Sequence, residues 1–62
     1  MGDDVRKRVR QSIEAIGAAR TARTMGMPRE TVLSLAAGAS VREGTMALAH
    51  ERVRRLDAAA RE

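Results

Sequence analysis

Apolar residues recur along this chain at helical spacing, and strand signals are absent. Val5, Val9, Ile13 and Ile16 follow i, i+4, i+8, i+11, a stripe roughly 80° wide at the helical 100° per residue. Asp3 or Asp4 can cap its start, with negative charge at the positive end of the helix dipole. Gly17 can close it in a left-handed conformation, so the pattern predicts a first helix over about residues 4–16. A second stretch, 18–25, stops at Gly26. The third opens at Pro28, whose fixed φ and missing N–H suit a first helical position, and runs over 28–37 to Gly38. The last begins near Ser40, where Ser40-Val41-Arg42-Glu43 reads as a capping box. It meets no breaker after Gly44 and is predicted over 41–60.

Four helices with three short connections predict one compact all-α domain over residues 1–62, with a long C-terminal helix. Sixty-two residues bury only about 60% of the unfolded surface, which leaves no room for a water-excluding reaction chamber or a small-molecule pocket. With no cysteine and one histidine, neither disulfides nor a structural metal is expected to support the fold. No Phe, Trp or Tyr is present, which removes the platforms on which single strands and RNA bases stack. No apolar run approaches 18 residues and no charged-then-apolar leader opens the chain. The expectation is therefore a cytoplasmic protein without a membrane span.

The net charge of +4 is uneven. Residues 1–31 carry seven basic against four acidic side chains, and 32–62 carry five against four. Eleven of the twelve basic residues are arginine, the residue type that grips phosphate and guanine bidentately. A GC-rich coding bias would produce the same excess. In the run Val5-Arg6-Lys7-Arg8-Val9-Arg10 the charges spread around the helix, which reads as a solvated face adding non-specific attraction.

The informative stretch is Ala18 to Gly38. Two short helices joined by a tight turn need a small residue where their backbones approach, and Ala22 supplies it. The turn needs positive φ, which Gly26 allows. Met25, Met27, Val32 and Leu35 fall at spacings that lock the two helices together. This arrangement resembles the Cro/repressor-type (lambda-repressor-like, XRE) helix-turn-helix family in Ala22, Gly26, Met27, Val32, Leu35 and the loop-closing Gly38, over about residues 5–53. It departs from the family in Thr21, at a position usually aliphatic. Ala18-Ala19 also stand where phosphate-touching polar residues are common. A plain helical hairpin, whose Gly and Ala merely permit close packing, is the competing reading.

The resemblance implies that the outer face of the third helix enters a major groove. Arg29, Glu30, Leu33 and Ser34 are then the base-reading candidates. Arg29 suits guanine O6/N7, Glu30 suits cytosine N4, and Leu33 suits a thymine methyl. Glu30 equally serves as a favourable charge at a helix start. Arg20, Arg23, Thr31 and Arg42 are the phosphate candidates, because affinity rests on neutralised phosphates.

In the last helix Met46, Ala49, Val53, Leu56 and Ala60 alternate by three and four, the spacing of a coiled-coil seam. The family resemblance assigns Met46, Ala49 and Val53 to the core. Leu56 and Ala60 then extend beyond it. A homodimer through Leu48, Val53, Leu56 and Ala60 is expected, with Leu48 or Leu56 central. His50 lies on the polar side of that helix and reads as a surface residue. No acid, base and nucleophile converge in sequence, so no enzyme, cofactor or metal is expected. The implied function is a sequence-specific double-stranded-DNA-binding regulator, a phage- or plasmid-type repressor that occludes an inverted repeat as a dimer and is nucleoid-associated. The alternative is an antitoxin-like or adaptor module that grips a protein through Leu33 and Leu56.

Overall fold

The computed structural model describes residues 2–60. Its elements are α1 (Gly2–Ile16), α2 (Ala18–Met25), α3 (Arg29–Ala37), α4 (Glu43–Arg52) and α5 (Arg54–Ala60), with no strand among the described residues. The long C-terminal helix expected from sequence is formed by α4 and α5, interrupted at Val53. That residue keeps right-handed helical dihedrals. Its N–H still bonds to Ala49 O at 2.9 Å, while Leu56 N–H reaches back only three residues to Val53 O at 3.1 Å. The interruption is thus a tightening of 3₁₀ type. No helix among the described residues is long and apolar enough to cross a membrane.

The core is built without aromatics. Val5 and Val9 of α1 meet Ala22 and Met25 of α2, Met27 of the turn, Val32 and Leu35 of α3, and Ala49, Val53 and Leu56 from the C-terminal segments. Ile13, Ala36, Val41 and Met46 pack partly buried around them. Helix α1 contacts α2, α3 and α4, and α5 lies against α2. The α1 stripe leaves the core towards its end, where Ile16 is 39% exposed.

Four helix boundaries differ from the local signals. Helix α1 begins at Gly2, which puts Asp3 and Asp4 inside its first turn and not at its cap. Gly17 has φ 92° and ψ 157°, positive but not left-handed helical. It serves as the N-cap of α2, so the chain must turn at once into the next helix, and Gly17 O accepts from Thr21 N–H at 3.1 Å. Pro28 is the N-cap of α3, one residue outside the helix. Helix α4 starts at Glu43 behind an extended Arg42 that makes no side-chain cap bond, so the expected capping box does not form. Ser40 to Arg42 instead return the chain from α3, and Val41 packs against the core from that non-helical stretch.

Thr21 is fully buried at the position where an aliphatic residue was expected. Its Oγ1 lies 2.8 Å from Ser12 Oγ. The hydroxyl therefore enters the core with a partner, which removes the penalty of an unmade bond.

Candidate nucleic-acid interface

The turn between α2 and α3 is closed by backbone geometry. Gly26 sits at φ 66°, ψ 35°, Gly26 N–H bonds to Arg23 O at 3.2 Å, and Met27 N–H bonds to Ala22 O at 3.1 Å. This is the paired closure of a Schellman motif, with Met27 buried just beyond it. Helix α3 ends the same way at Gly38, where Gly38 and Ala39 N–H bond back to Leu35 O and Ser34 O. Both helices of the unit thus have defined ends, and three residues separate them.

Helix α3 is sharply two-sided. Val32 and Leu35 are fully buried and Ala36 is partly so, whereas Arg29, Glu30 and Ala37 are exposed and Leu33 is 40% exposed. Ser34 is half-buried between the two sides. An exposed leucine flanked by charged and hydroxyl-bearing residues leaves this face free to meet both polar and apolar chemistry.

Two shallow depressions gather the remaining candidates. One, between α3 and the start of α4, is lined by Glu30, Thr31, Ser34, Ser40, Arg42 and Thr45. It brings Thr31 and Arg42 together with Glu30 and Ser34. The other, at the start of α2, brings Arg20 and Arg23 beside Ala18, Ala19 and Thr24. Arg29 and Leu33 line neither and stand on the open helix surface. Thr24 and Thr45 join these depressions beyond the expected residues, and Ser40 lines one of them without capping a helix. Thr45 was findable as a hydroxyl in the first turn of a helix starting at Glu43.

Several arginines hold the fold. Arg6 Nη1 donates to Leu35 O at 3.1 Å, and Arg8 pairs with Asp57. Of the basic run in α1, Lys7 and Arg10 are exposed and Arg6 and Arg8 half-buried, so only part of that run is the solvated face expected. Arg52 Nη1 donates to Met25 O at 2.9 Å and to Gly26 O at 3.1 Å. Nothing local in the sequence marks Arg52 for that contact.

The expected dimer surface requires correction. Val53 and Leu56, at 4% and 8% exposure, are covered by their own chain, because α5 packs against α2 and is tied to α1 through Arg8 and Asp57. Ala60 ends α5, and its side chain lies outside the described residues. Of the three whose side chains are described, Leu48 stands open, at 37% exposure. Burial of Leu56 also removes half of the surface on which a protein-gripping module would combine Leu33 and Leu56. Comparison with family models, curated proteins and solved structures returns no match.

Proposed function

We propose that this chain is a sequence-specific double-stranded-DNA-binding regulator of the Cro/repressor type, with α3 as its recognition helix. The observation that carries the reading is the division of α3 into a fully buried side, Val32 and Leu35, and a bare side, Arg29, Glu30 and Leu33. A helix anchored from behind and open in front can present base-reading side chains in a major groove. Arg29 offers a guanine fork, Leu33 an apolar contact for a thymine methyl, and Ser34 a hydroxyl for either base-pair edge. Arg20 and Arg23 on α2, with Thr31 and Arg42 around α3, are the candidates to meet phosphates and fix register. The protein then resides on the nucleoid and regulates by occupying promoter DNA.

The Cα envelope is 31 × 18 × 17 Å and holds one such helix. Successive major grooves on one side of a duplex lie about 34 Å apart, so reading an inverted repeat takes two copies. Leu48, exposed on α4, is a candidate contact between them.

Selection of bound sequences from a random duplex pool tests the reading. A defined preferred site is expected, and Arg29→Ala should relax preference at one base-pair position, at a cost of about 1–3 kcal/mol on that site. Recovery of no preferred sequence from the pool would reject the DNA reading. Equal loss on every sequence would remove Arg29 as a reader.

A further inference from the structure

We propose that Arg52, on the C-terminal side of the molecule, is a positioning residue for α3 and sets base discrimination without contacting DNA. The inference rests on the DNA-binding reading of α3. Arg52 reaches from the last turn of α4 across to the end of α2, where its Nη1 bridges the carbonyls of Met25 and Gly26. The Met25 and Gly26 carbonyls belong to the residues that lead into α3, four and three positions before Arg29. Carbonyls at a helix C-terminus carry partial negative charge and lack intrahelical partners. A guanidinium donates to them more strongly than a neutral group would.

The fit at this point is close. A Cβ built on Gly26 would stand 2.6 Å from Arg52 Nη1 and 3.1 Å from Arg55 Nη1. The turn therefore meets the arginine through bare backbone. Movement of Arg52 moves the hinge from which α3 departs, and the exposed side chains of Arg29 and Glu30 lie within the next turn. Recognition by bidentate hydrogen bonds falls steeply with misplacement, whereas phosphate attraction tolerates it.

Arg6 provides an internal control. It also donates one guanidinium N–H to a carbonyl of this unit, Leu35 O, but at the far end of α3. Leu35 lies six positions beyond Arg29, about 9 Å along the helix. Loss of Arg6 loosens packing without shifting the hinge.

The experiment compares Arg52→Met and Arg6→Met with the unchanged chain on the duplex selected from a random pool and on a scrambled duplex, at several salt concentrations. Amide hydrogen exchange across residues 25–33 is measured on the same proteins without DNA. For Arg52→Met the expected result is a fall of about tenfold in the selected-to-scrambled affinity ratio. The slope of log affinity against log salt should stay unchanged, and exchange should quicken around Met27 to Glu30. Arg6→Met should leave the ratio within twofold. Should Arg52→Met fail to fold, Arg52→Lys carries the test, with a smaller fall of the same kind, because a single ammonium cannot reproduce the guanidinium bridge. A salt slope shallower by about 0.9 would make Arg52 a phosphate contact and overturn the proposal. Equal losses of ratio in the Arg52 and Arg6 variants would overturn it as generic loosening. An unchanged ratio in a variant of a chain that does prefer its duplex overturns the positioning role alone. No preference in the unchanged chain overturns the DNA reading and this role together, and the exchange data then show separately whether Arg52 holds the turn.

Discussion

Helical structure breaks at Gly26 and again at Val53, by different physics. At Gly26 the backbone takes positive φ, two N–H groups fold back on the preceding turn, and the chain leaves in a new direction. At Val53 the residue stays right-handed, one bond spans three residues instead of four, and helical structure resumes immediately. The first break is written into the backbone, since a side-chain-bearing residue in that conformation costs about 1–2 kcal/mol. The second follows from what surrounds it. Ala49, Val53 and Leu56 are all buried, Arg52 is bound to the Gly26 turn, and Asp57 is paired with Arg8. A break of the first kind sets topology. One of the second kind adjusts how an element already placed meets its neighbours.

The anchors of the second break give the largest expected effect. Leu56→Ala should destabilise the domain by about 3 kcal/mol, measured by urea denaturation, with no change in sedimentation. A loss below about 0.5 kcal/mol accompanied by a change in oligomeric state would place Leu56 against another copy, and the contrast between the two breaks would dissolve. Gly26→Ala comes next. It should cost about 2 kcal/mol, from the left-handed backbone and from displacing Arg52. The same midpoint measurement checks it, and a neutral result would mean that this turn is held by its surroundings as well. The smallest effect belongs to the outer tie. Asp57→Ala should cost less than about 1 kcal/mol, because both partners of the pair are partly exposed. That loss should shrink as salt is added, and a loss of 2 kcal/mol or more, unaffected by salt, would show that the pair carries the packing of α5.

This contrast also explains what could be read in advance. Gly26 and Gly38 act through their own dihedrals, so the C-terminal ends of α2 and α3 were legible from the residues alone. The buried set Ala22, Met25, Met27, Val32 and Leu35 followed from helical spacing around them. Val53 carries no such signal. Valine neither breaks nor caps a helix, and its interruption depends on contacts distant in sequence. The same reason hid the fate of Leu56, whose cover comes from α2, and of Arg52, whose acceptors lie 27 and 26 residues away. Ser40 misled in the opposite way. A good local capping sequence was overridden because the return from Gly38 places Val41 against the core before a helix can start. On the outer face of α3, sequence periodicity sufficed to separate exposed from buried positions.

The Ser12–Thr21 contact carries a consequence of its own. Thr21 is fully buried and Ser12 half-buried, so removing the Ser12 hydroxyl strands Thr21 at about 1–3 kcal/mol, whereas removing that of Thr21 leaves Ser12 within reach of solvent. Change at this contact is therefore one-sided. Evolutionary drift passes more easily through the inner position first.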